Sequence, residues 1–108
     1  QKIDIFPMQQ YAYVLKRMKE IKESDGSSML DNSLVTYGAA LGDGSTHQYY
    51  DLPMLVAGRG QGQVKQGRFI QCKSGTLNSN LWLSVAKLMG LEMESFADST
   101  GVISDMWT

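Results

Sequence analysis

Two short apolar runs separated by a long polar loop constrain the fold of this chain more than any other feature. The runs cover residues 34–37 (LVTY) and 54–57 (MLVA), and a glycine follows each. β-Branched and aromatic residues that end at glycine are typical of short strands, so we predict two buried strands here. The loop between them, residues 38–53, is long enough for a crossover or for a wide hairpin, so parallel and antiparallel pairing both stay open.

Helical spacing predicts an amphipathic helix before these strands and another after them. The first covers residues 7–23 and ends in the polar turn 24–28. The second covers residues 77–89, and Gly90 can end it. Three residues can cap the start of the second helix, namely Thr76, Asn78 and Ser79.

Two basic stretches raise the question of anion binding. Over residues 16–23, lysine and glutamate recur at four-residue spacing, which favours a solvated face of mixed charge over a docking surface for an anionic partner. Over residues 58–68, glycines alternate with basic side chains, as in a phosphate-binding loop. Such a loop leads directly into a helix, whereas residues 69–72 (FIQC) have the pattern of an extended segment, so a surface turn is favoured.

The composition fits a single segment of an ordinary globular domain. Of the 108 residues, 43% are hydrophobic and 19% are charged, and the net charge is -1, so the charge favours neither nucleic acid nor anionic lipid as a partner. No run approaches the roughly 18 apolar residues of a membrane span. Cys72, the only cysteine, cannot form a disulfide within the chain, and beside Phe69 and Ile70 we expect it to be buried.

The predicted order of elements gives a layered α/β arrangement with helices packed on a sheet. Two or three strands form only a small sheet, and strands that are apolar on both sides need cover on both faces, which two helices do not supply. We therefore expect another polypeptide, sequence upstream of Gln1, or a second copy of the chain to complete the sheet. Residues 1–108 would then be a single segment of a larger α/β domain.

His47, the only histidine, makes the loop between the strands the candidate site. Asp43, His47 and Asp51 stand four residues apart, and imidazole and carboxylate groups are ligands for zinc, manganese or iron. The same residues have a structural interpretation, because Asp-Gly is a common turn and a carboxylate before a strand often bonds local backbone amides. We favour the structural interpretation, since one histidine is a weaker signal than a cluster. Catalytic residues are not assigned, because no serine or cysteine has the context of a nucleophile.

Several segments occur in an order that is shared with a known family. They are DNSLVTYGAALGDGSTHQYYDLPMLVAG, QGRFIQ, NLWLSVAKLMG and ESFADSTG. The most specific pieces are DG followed by His47, DLP at 51–53, and DSTG at 98–101. Over residues 6–101 the chain resembles the C-terminal part of the exported bacterial family called domain of unknown function 1552.

The resemblance implies the alkaline-phosphatase and sulfatase type of α/β fold, a periplasmic or secreted protein, and a divalent metal ion as cofactor. His47 resembles a metal-binding histidine of that superfamily, with Asp43 beside it, whereas residues 38–40 (GAA) stand where a ligand pair is expected. The nucleophile and the other ligands belong to earlier sequence, so these residues alone should be inactive. The resemblance therefore implies either a metal-dependent phosphate or sulfate ester hydrolase, or a non-catalytic envelope or surface protein that kept the fold without an intact metal site.

Overall fold

The structure is a computed structural model that describes residues 2–107. Its elements, in chain order, are α1 (Lys2–Glu20), β1 (Val35–Gly38), β2 (Met54–Ala57), α2 (Asn78–Leu88) and a short 3-10 turn (Ser104–Met106). The fold is therefore mixed α/β. The chain divides into two compact units, Gln1–Gly58 and Arg59–Thr108. Over the described residues, no helix combines the length and the apolar character needed to cross a bilayer.

Helix α1 extends further toward the N-terminus than the predicted helix and ends earlier, at Glu20. Pro7, the predicted start, lies inside the helix, where its missing N–H removes one backbone hydrogen bond. Beyond the helix the chain reverses, because the N–H of Glu23 donates to the carbonyl of Ser27 at 2.8 Å and Gly26 takes a left-handed φ of 86°. Glu23 therefore lies outside α1, and the predicted four-residue helical spacing between Glu23 and a lysine is absent.

Tyr11 joins α1 to both strands. Its hydroxyl donates to the carbonyl of Val35 in β1 at 2.9 Å, and its ring lies 5.4 Å from that of Tyr37 with the planes tilted by 40°. Burial raises the pKa of the Tyr11 hydroxyl, and a hydrogen bond from the backbone of Ala57 in β2 partly offsets that rise. A single tyrosine therefore fixes the position of the helix on the strand pair.

The apolar side chains of α1 are distributed around the helix instead of lying on one face. The half-buried positions are Pro7, Tyr11, Leu15 and Met18. The exposed large apolar side chains are Ile3, Ile5, Phe6, Met8, Tyr13 and Val14. Met8 and Val14 follow the apolar spacing that predicts an amphipathic helix, yet they are 39% and 45% exposed. Large apolar side chains are therefore exposed on several sides of this helix, between its polar residues.

Strands β1 and β2 pair antiparallel, from Val35 with Ala57 to Gly38 with Met54, so the loop between them is that of a wide hairpin. The predicted boundaries of β2 are confirmed, and β1 is shifted by one residue. The prediction that both strands are buried is wrong, because their residues are mostly half-buried and Leu55 is 41% exposed. The physical reason is that a sheet of two strands with one helix has too few neighbours to cover both faces.

Helix α2 supplies most of the buried apolar side chains. Among the described residues, the buried apolar side chains are Leu81, Leu83 and Leu88 on α2, with Val64 and Met106 from the segments on either side. All five lie in the second unit. The second unit therefore has a small core of its own.

The two ends of α2 are built differently. At the C-terminal end, the N–H of Gly90 donates to the carbonyl of Lys87 and the N–H of Leu91 to that of Ala86, each at 3.0 Å, and Gly90 has a φ of 86°. This is a Schellman motif, which confirms Gly90 as the helix end. At the other end, the cap residue Leu77 makes no side-chain cap bond, so the predicted capping is wrong. The hydroxyl of Thr76 instead donates back to the carbonyl of Lys73 at 2.7 Å.

Buried polar side chains of α2 hold the C-terminal segment against the helix. The hydroxyl of Ser84, which has no exposed surface, donates to the carbonyl of Asn80 at 2.6 Å and accepts from the N–H of Ile103 at 2.8 Å. The side chain of Asn80 accepts from the N–H of Thr100 at 2.8 Å and donates to its hydroxyl at 3.2 Å. These bonds give the irregular segment after α2 a defined path.

We predict that Ser84→Ala and Ser79→Ala have different outcomes, although both replace a buried serine of α2. Ser84→Ala leaves the N–H of Ile103 without its acceptor, so the free energy of unfolding should fall by about 1–3 kcal/mol. The Ser79 hydroxyl is buried without a hydrogen-bond partner among the described residues, so alanine there should be neutral or stabilise by up to about 0.5 kcal/mol. Urea unfolding followed by the fluorescence of Trp82 and Trp107 reports on this unit. Equal losses in the two variants would contradict the role of Ser84.

Candidate functional site

The loop between β1 and β2 forms a closed turn that carries the candidate metal ligands. The N–H of Gly42 donates to the carbonyl of Gln48 at 2.7 Å, and the N–H of Gln48 donates to the carbonyl of Asp43 at 3.1 Å. Asp43 and Gln48 form an isolated antiparallel bridge. His47 therefore lies inside the turn, next to one of its two closing residues.

Asp43 stabilises this turn from within. Its Oδ1 accepts from the N–H of Ser45 at 2.9 Å, and its Oδ2 accepts from the hydroxyl of Thr46 at 2.8 Å. Both bonds lower the pKa of Asp43, because they favour the charged carboxylate. The bond from the Thr46 hydroxyl has the larger effect, and the bond from the Ser45 N–H has the smaller one. Each carboxylate oxygen already has a protein donor. The structural interpretation of Asp43 thus has a direct basis in the geometry.

His47 and Asp51 both have left-handed backbones, with φ values of 53° and 54°. This conformation is uncommon outside glycine and carries strain of order 1–3 kcal/mol. Both residues are exposed. Within residues 2–107, no group of three His, Cys, Asp or Glu side chains is placed to hold a metal ion. The assignment of His47 and Asp43 as metal ligands therefore stays a prediction.

The GAA segment, which the family resemblance aligns with a metal-ligand pair, is part of the hairpin backbone. Gly38 ends β1, and the N–H of Ala39 donates to the carbonyl of Pro53 at 3.4 Å, just before β2. Ala40 is exposed. None of the three side chains has an atom that binds metals, so the segment contributes pairing and not coordination.

The glycine-rich stretch after β2 is a turn, as predicted. Residues 60–63 form the turn, and the N–H of Val64 closes it by donating to the carbonyl of Arg59 at 3.1 Å. Residues 69–72 have no regular secondary structure, and the next helix begins only at Asn78. The turn therefore does not lead into a helix N-terminus, which a phosphate-binding glycine loop requires.

Cys72 is exposed, so the prediction that it is buried is wrong. Its neighbour Phe69 is 89% exposed. The reason is that residues 69–72 do not join a sheet, so no packed face is present to bury their side chains. Trp82 and Trp107 are half-buried.

A surface that the sequence reasoning missed lies on α1. Its side chains form a shallow, mostly apolar groove lined by Asp4, Ile5, Met8, Gln9 and Ala12. The signal was present in the sequence, because Ile3, Ile5 and Phe6 precede the predicted helix start and would extend the apolar pattern around the helix. Placing the start at Pro7, a residue that is common in first turns, hid that pattern.

Comparison with known proteins adds no assignment to this geometry. The chain matches no protein-family model, no curated protein and no solved structure. The resemblance to domain of unknown function 1552 therefore stays a prediction.

We predict that Thr46→Val raises the pKa of Asp43 toward the ordinary carboxyl value, because it removes the hydroxyl that most lowers it. The pKa is lower in the folded than in the unfolded chain. The carboxylate therefore contributes stability above its unfolded pKa, and that contribution is lost as the pH falls through the folded value. The measurement is a pH titration of the side-chain carboxyl carbon by NMR. Thr76→Val is the matched control, since the Thr76 hydroxyl bonds Lys73. An unchanged Asp43 pKa in Thr46→Val would contradict the assignment.

Proposed function

We propose that this chain is the C-terminal segment of an exported alkaline-phosphatase-like protein, and that its role there is structural. In this proposal α1 and the strand pair pack against the remainder of the same longer chain. The observation that carries it is the exposure of large apolar side chains on several sides of α1, including Ile3 at 86% and Phe6 at 62%. Part of this surface is contiguous, since Ile5, Met8 and Ala12 line one shallow apolar groove, and contiguous apolar surface marks sites of contact with other polypeptide.

The energetics of burial support this role. Fully burying one large apolar side chain stabilises a protein by about 1.5–3 kcal/mol. The first unit gains little of this stabilisation. Among its described residues, the apolar side chains are half-buried or exposed. Through Tyr11, one side of α1 contacts β1, and a second layer of polypeptide would cover the other sides.

The strand pair supports the same proposal. A two-stranded sheet has an open edge on each side, and exposed edges are normally paired or covered. In an alkaline-phosphatase-like layered fold, further strands would extend β1 and β2, and helices would cover Leu55 and its neighbours. Another subunit or a second copy of the chain is the alternative source of this cover. The proposed location, periplasmic or secreted, follows from the family resemblance alone.

We predict that Phe6→Ser affects the isolated chain and the longer protein differently. In the isolated 108 residues, Phe6 is largely exposed, and phenylalanine and serine have similar helix propensities, so the free energy of unfolding should change by less than about 0.5 kcal/mol. In the longer protein, where we propose that Phe6 is covered, the same change should cost about 2 kcal/mol or more. Thermal unfolding of both forms by circular dichroism is the measurement.

The matched control is Gln10→Ser, at an exposed polar position of the same helix. It should have the same small effect in both forms. If Phe6→Ser is as mild in the longer protein as in the isolated chain, α1 is not covered by the rest of the protein. If the longer protein is also a stable monomer, that result excludes a second copy of the chain as the partner that covers α1.

Metal-dependent hydrolysis of a phosphate or sulfate ester is the second candidate, and the left-handed, exposed His47 is the observation that favours it. Strained residues of this kind cluster at functional sites. His47 would be one ligand of a divalent metal. The metal would polarise the ester oxygen and activate the attacking group. The nucleophile and the other ligands would come from earlier sequence. Against this candidate, both oxygens of Asp43 are already bonded within the turn.

A purely binding role would use the same loop differently. Tyr49 and Tyr50 are 74% and 68% exposed, and amphipathic aromatic side chains contribute strongly at protein interfaces. On this interpretation the protein keeps the fold without an intact metal site, which agrees with the lack of ligating side chains in the GAA segment. Metal content therefore discriminates the hydrolase from the non-catalytic protein.

If the hydrolase candidate is correct, His47→Ala in the longer protein should weaken divalent-metal binding at least about tenfold, since even outer-shell partners of metal ligands contribute 10–100-fold. Tyr49→Ala, an exposed change in the same loop, is the control and should leave metal binding intact. Elemental analysis after dialysis and turnover of aryl phosphate and aryl sulfate esters are the measurements. Identical metal content in wild type and His47→Ala would exclude His47 as a ligand and leave the structural role.

A further inference from the structure

We draw no further inference here: the strongest candidate, the uncapped first turn of α2 with the buried hydroxyl of Ser79, carries nothing because that oxygen is enclosed by the protein and no second observation among the described residues points to a ligand there.

Discussion

The second unit depends on the buried hydroxyl of Ser84, which sits in the middle of α2 and serves both as donor and as acceptor. The chain after α2 has little regular structure, so its backbone groups need partners from elsewhere. Ser84 and Asn80, one helical turn apart, provide them for Ile103 and Thr100. Because these bonds hold the C-terminal segment against α2, Met106 is buried although it lies in neither a strand nor a long helix.

A side-chain hydrogen-bond donor also fixes the turn before α2. The side-chain amide of Gln63 donates to the carbonyls of Gly60 and Leu88, at 3.0 and 3.1 Å, and so joins the glycine-rich turn to the end of α2. The N–H of Lys65 donates to the carbonyl of Met106 at 3.1 Å. Side-chain hydrogen bonds thus take over the role that a sheet has in larger domains. In the first unit, the hydroxyl of Tyr11 joins α1 to β1 in a comparable way, but the apolar side chains around it are half-buried or exposed.

The parts of the fold that local chemistry determines could be predicted from the sequence. Residues 54–57 are β-branched or apolar between a proline and a glycine, and the strand formed there as expected. Gly90 follows an apolar pattern of helical period, and it ends α2 in a Schellman motif. The missing side-chain cap of α2 and the exposure of Cys72 could not be predicted, because each depends on what packs nearby. The predicted start of α1 is too late in the chain, because Pro7 is typical of a first helical turn. Pairing direction also needed the structure, since a loop of this length allows both.

The candidate site, too, could be predicted only in part from the sequence. The Asp-Gly pair of the loop predicts a turn, and the carboxylate of Asp43 bonds the residues two and three positions later, as aspartate does in such turns. The left-handed backbone of His47 has no comparable sequence signal, because histidine adopts this conformation more often than most residues but still only in a small minority of positions. A metal at this loop would have to compete with the Thr46 hydroxyl and the Ser45 N–H for Asp43. Since those bonds stabilise the turn in which His47 lies, a metal that displaced them from Asp43 would loosen the turn itself. The geometry of the loop therefore favours the structural role of Asp43 over a role in coordination.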